Sequence, residues 1–137
     1  MPVHLDADNR RIQLDGRWYP VARHRVETVD LPPDLDSPPH RTRQALVPVG
    51  ETGWELSIVW GTGTYSDNHA CLFPPSIGGS EFVEDPDRVE IAAFNRDGIM
   101  VDWADGDTVQ GYVVAAEVAH ILDRLADLPA DLTVIPL

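Results

Sequence analysis

The hydrophobic pattern changes period once, close to the C-terminus, and that change limits what the chain can fold into. In VVAAEVAHILDRLADLP, Val118, Ile121, Leu122, Leu125 and Leu128 recur at spacings of three and four. This marks a helix with one apolar face, ended by Pro129. The spacing predicts a helix over 114–128 with Glu117, His120, Asp123, Arg124 and Asp127 turned to solvent. Before it, apolar residues alternate in short runs, the period of strands. A lone amphipathic helix must bury its stripe on whatever those strands build. The expectation is an α+β domain over 1–137: a twisted antiparallel sheet of about six strands with one C-terminal helix packed on one face.

Turn chemistry divides the strand region. Asp15-Gly16 between Ile12, Leu14 and Arg17, Trp18, Tyr19 predicts a tight hairpin, since two-residue turns need positive φ. Val21 to Leu31 continues extended. It is stopped by a proline-rich loop over 31–40, whose four prolines cannot donate to a sheet. Ala45 to Val49 and Trp54 to Trp60 flank GETG as a second hairpin, with Trp54, Leu56, Ile58 and Trp60 on one face. Residues 61–80, with four glycines and two prolines, predict a long surface loop. Val89 to Phe94 then pairs with Ile99 to Trp103 across Asn95 to Gly98, and Asp105 to Asp107 turns the chain into Thr108 to Val113, a three-stranded meander. Leu132 to Ile135 can add an edge strand. Trp18, Tyr19, Trp54, Trp60 and Trp103 are expected mainly as core residues.

Charge narrows the partners. The chain carries 23 acidic and 10 basic residues, a formal charge of −13. Residues 1–50 hold seven arginines and seven acids, so the whole excess falls in 51–137. Such a field opposes direct binding to nucleic acid or an anionic membrane, and it favours a protein partner with a basic surface. No lysine is present, which fits a high-GC genome. No apolar run reaches the roughly 18 residues of a membrane span. MPVHLDADNRR has no secretory pattern, and a lone Cys71 allows no internal disulfide, so the expected location is the cytoplasm.

Three stretches invite chemistry. Asp67, His69 and Cys71 bring a carboxylate, an imidazole and a thiol into the 61–80 loop, the raw material of a nucleophile or a metal site. The sequence supplies no further partner for them, and a small packed Cys71 is the commoner fate. Asp102 to Asp107 looks like a calcium loop, but with Gly106 as the turn glycine its first and closing ligand positions fall on Val101 and Tyr112. Gly61-Thr62-Gly63-Thr64 lacks the lysine and the following helix of a phosphate loop. Nothing in the sequence calls for a cofactor. Glu81, Glu84, Asp85, Asp87 and Glu90, joined by Asp102, Asp105 and Asp107, form the candidate binding surface, with Tyr65 as an aromatic contact. Its charge leaves DNA mimicry open.

WGTGTYSDN (60–68), VEIAAFNRDGIMV (89–101) and GYVVAAEVAHIL (111–122) together resemble small uncharacterised proteins of actinobacteriophages and their hosts. In these, a W-G-x-G-x-Y stretch leads to a strand, a D-G turn, and a G-Y-V strand running into a final helix. The resemblance implies an origin and a layout, and no activity. Function is therefore expected to be that of an acidic binding protein, of phage origin, docking on a host or phage protein. The alternatives are a small hydrolase or metal-dependent enzyme using Asp67, His69 and Cys71, and a virion structural or assembly component. Oligomeric state is left open by the sequence.

Overall fold

Asp15 and Gly16 both adopt positive φ, 52° and 80°, so the first turn has the handedness that matches twisted strands. It joins β2 (Arg11–Leu14) to β3 (Arg17–Pro20), and β1 (His4–Leu5) pairs on the other side of β2. The computed structural model describes residues 2–29, 39–67 and 82–137. This first sheet is separate from a five-stranded antiparallel sheet of β4 (Arg23–Val29), β5 (His40–Pro48), β6 (Glu55–Gly61), β7 (Arg88–Phe94) and β9 (Val109–Val114), in that order. Helix α1 (Ala115–Leu125) follows β9 without a break. The third sheet pairs β8 (Asp102–Trp103) in parallel with β10 (Val134–Ile135).

The α+β class and the mainly antiparallel pairing therefore stand, but the strands divide into sheets of three, five and two instead of one sheet of about six. The N-terminal hairpin serves the core by packing: Leu5, Ile12 and Leu14 point into the same cluster as the inner face of the large sheet. That face is the one expected for β6, since Trp54, Leu56, Ile58 and Trp60 are all buried. Ala45 and Val47 of β5 and Val89, Ile91 and Ala93 of β7 extend it. α1 covers it with Val118, Ala119, Ile121, Leu122 and Leu125 and touches β2, β7 and β9. Each large aliphatic side chain so buried contributes about 1.5–3 kcal/mol. The helix is shorter than 114–128, because the last three residues form turns, and Leu128 packs partly buried on the core. Arg17 on β3 donates to Asp123 at 2.8 Å and holds the outer side of the helix.

The meander is corrected. Ile99 to Trp103 does not become a full partner of β7. Only Phe94 bridges Met100, and the Val101 N–H donates to the Ala93 carbonyl. β9 takes the remainder of that edge. Asn95 explains the diversion: its Oδ1 accepts from the Asp97 and Ile99 N–H groups, while its Nδ2 donates to the Leu132 carbonyl at 3.1 Å. The turn is thereby tied to the C-terminal tail, and Trp103 leaves the edge to bury its ring, its Nε1 donating to the Thr108 carbonyl. The tail does add a strand, β10, beside β8 and not on the large sheet.

β5 also begins earlier than Ala45. Residues 40–44 carry no apolar alternation, yet all of them pair with β4, and 42–44 pair with β6 as well. His40 thus belongs to a strand, and the remainder of the expected loop over 31–40 lies outside the described residues except Pro39. Of the large aromatics, Trp54, Trp60 and Trp103 are buried and Tyr19 is partly so. Trp18 is 41% exposed, a departure from the expected core placement, with the Arg11 guanidinium over its ring and the His4 ring edge-on to it.

Candidate functional site

The irregular point of the large sheet lies on its β9 edge. Val89 pairs with Val113 but Ile91 with Gln110, so β9 spends three residues where β7 spends two. The extra residue makes a bulge, and Tyr112 within it has φ 53°. A bulky side chain in the left-handed region is uncommon and costs about 1–2 kcal/mol. Gly111 before it allows the approach of a second segment: a Cβ there would stand 2.5 Å from the Tyr65 Cβ. The Tyr112 N–H donates to the Tyr65 carbonyl at 2.7 Å, so the segment that follows β6 reaches β9 at Tyr65.

The result is a pair of surface aromatics. Tyr65 is 55% and Tyr112 45% exposed, with ring centroids 6.2 Å apart and planes tilted by 55°. The Arg88 guanidinium lies 5.5 Å from the Tyr112 ring centroid. An open cleft of about 470 Å³ beside them is lined by Tyr65, Asp107, Thr108, Val109, Gly111 and Tyr112. Glu90 accepts from the Tyr65 N–H at 2.9 Å. Asp105 accepts from the Gln110 side chain at 2.9 Å and from the Asp107 N–H at 3.0 Å. These bonds, that from Gln110 foremost, hold its carboxyl below the usual carboxylate range.

Asp67 turns out to be a clamp. One carboxylate oxygen accepts from the Asp87 and Arg88 N–H groups at 2.8 and 3.0 Å, and the other accepts from Arg88 Nε at 2.6 Å. This bond set fastens the 61–67 turn to the start of β7 and orients the guanidinium beside Tyr112. It leaves Asp67 poorly placed as a general base. Asp67→Ala is expected to lower the unfolding free energy by about 2–3 kcal/mol, because two backbone donors and an arginine lose their acceptor. Asp67→Asn should cost less. Chemical denaturation checks this, and a loss below about 0.5 kcal/mol would show that the carboxylate is no clamp. His69 and Cys71, the other members of that candidate set, lie outside the described residues, as does Glu81.

Two of the remaining acidic candidates are paired with basic side chains. Glu84 reaches Arg41 at 2.8 Å and Arg43 at 3.1 Å, and Asp85 meets His4 at 3.1 Å. Asp102 sits exposed on β8. Asp87 is exposed, its main chain held by Asp67. Tyr65, Glu90, Asp105 and Asp107 are the members of the expected binding set that surround the bulge. Tyr112, Arg88 and Gly111 were not singled out by sequence reasoning. The usable signal was a glycine inside a strand pattern, which often marks a bulge or a close backbone approach.

Among the described residues, no three His, Cys, Asp or Glu side chains come together as metal ligands would. No described helix is long and apolar enough to cross a membrane. Comparison of the chain with protein-family models, with curated proteins and with solved structures finds no match.

Proposed function

We propose that this chain is a non-enzymatic binding protein that docks on a basic protein through the Tyr65–Tyr112 edge of its large sheet. The observation that carries the reading is Tyr112, an aromatic residue held at positive φ with its ring half exposed. Backbone strain of this kind persists where the surrounding structure enforces it, and it clusters at functional sites. Tyrosine and arginine are the side chains that most often dominate binding energy at interfaces. Here two tyrosines and Arg88 stand together above Glu90 and beside Asp107. The acidic excess of residues 51–137 adds a long-range field that speeds approach of a basic partner at low salt. The setting we propose is the cytoplasm of an actinobacterial host, with the chain encoded by the host or its phage.

The test compares immobilised wild-type protein with the Tyr65→Ala/Tyr112→Ala double variant, matched in circular dichroism and unfolding midpoint, with Trp18→Ala as a surface control. Lysate of a high-GC actinobacterium is applied at low salt. The expected result is a basic protein retained at least about tenfold less by the double variant, unaffected by the control, and eluted near 0.5 M salt, roughly where screening removes the field. Equal retention by wild type and double variant would remove the tyrosine edge from the account.

A further inference from the structure

The opposite edge of the same sheet carries an inference that does not depend on the tyrosine platform. β4 is an outer strand, and among the described residues no strand lies on its far side. On β5, the Leu46 carbonyl accepts from Ala22 on the β4 side, and the Arg41 carbonyl accepts from Thr62 on the β6 side. Main-chain groups alternate in direction along a strand, so the even-numbered residues of β5 face β4. Their partners are Arg23, Arg25 and Glu27. The N–H and C=O groups of His24, Val26 and Thr28 therefore point away from the sheet. β4 has no proline and no bulge, two of the devices that protect an exposed edge.

We propose that two copies of this chain associate by antiparallel pairing of β4 with β4 about a two-fold axis at Val26. In that register Val26, 45% exposed, meets its own copy, His24 stands opposite Thr28 twice, and Arg25 stands opposite Glu27 twice. A two-fold axis makes the contact isologous, so every ion pair occurs twice. Within one chain Arg25 already donates to Glu27 at 2.8 Å. Pairing two such strands gives a ladder of four alternating charges on one face, and opposite charges directly across strands are favourable. Moving the axis to residue 25 would set Arg25 against Arg25, and moving it to residue 27 would set Glu27 against Glu27. Charge thus selects the register as well as the partner. The choice of a second copy follows from the same charges: β4 meets itself with ion pairs, although the chain as a whole carries −13 and repels its copies elsewhere.

Sedimentation velocity of the full chain at low salt, from about 1 to 200 µM, reads the association, a range suited to an interface this small. A concentration-dependent dimer is expected. Arg25→Glu or Glu27→Arg alone places like charges opposite one another twice and should weaken it about tenfold, while the combined swap should restore it to within about threefold. Val26→Pro removes an outward donor without touching the β4–β5 ladder, and it should abolish the dimer while circular dichroism and unfolding midpoint stay unchanged. A monomer throughout the range would overturn the proposal, and so would a dimer indifferent to both the charge variants and Val26→Pro.

Discussion

Trp54→Ala is expected to reduce the unfolding free energy by about 3–5 kcal/mol, the range for deleting a fully buried indole. Trp54 is 1% exposed, and its Nε1 donates to the Leu128 carbonyl at 3.0 Å, so one side chain joins the β5–β6 hairpin to the end of the helix. Its loss opens a cavity at the seam between layers and leaves that carbonyl without its donor. Set against the roughly 5–15 kcal/mol that holds a typical domain together, the variant should melt on the order of 10 °C or more below wild type. Trp54→Phe, which keeps most of the ring and loses the donor, should cost about 1–2 kcal/mol. Calorimetry of the three proteins checks the order. A Trp54→Ala loss under about 1 kcal/mol would mean that the hairpin and helix are not joined at this point.

Tyr112→Gly separates stability from recognition. Glycine accepts φ near 53° without the steric penalty that tyrosine carries there, a gain of about 1 kcal/mol. Against it stand the lost contacts with Tyr65 and Arg88, together of similar size. The unfolding free energy should therefore stay within about 1 kcal/mol of wild type, while retention of the basic partner falls by roughly tenfold or more. Denaturation and the retention assay on the same preparation read both quantities. Tyr112→Gly that unfolds readily yet still binds would mean that the ring is there for the fold and not for a partner.

The two variants fall on opposite sides of what could be read in advance. The burial of Trp54 was legible because it begins an alternating run with Leu56, Ile58 and Trp60, and alternation assigns a face whichever strand lies next to it. Tyr112 was not, because its exposure follows from a bulge, and a bulge exists only relative to the strand it fails to match. The partners of the acidic residues were hidden for a similar reason. Glu84 and Asp85 look like one patch with Glu90 along the chain, but Arg41, Arg43 and His4 come from distant segments to meet the first two. Asp67 looked like a reactive carboxylate beside His69, and it is occupied by Arg88 and two amides that lie twenty residues away.

What the amino-acid order determined alone was local. The Asp15-Gly16 turn, the paired runs around GETG, and the three-and-four spacing of the helix depend on φ preferences and on which side chains share a face, and those act over a few residues. Tertiary structure decided which strands became neighbours. β9 displaced Ile99 to Trp103 from most of the β7 edge, Asn95 tied its turn to the C-terminal tail, and the sheet divided into three. Those outcomes are contests between partners far apart in the chain, each worth about a kilocalorie per hydrogen bond. The difference between winner and loser is set by the whole packed core, which no short window contains.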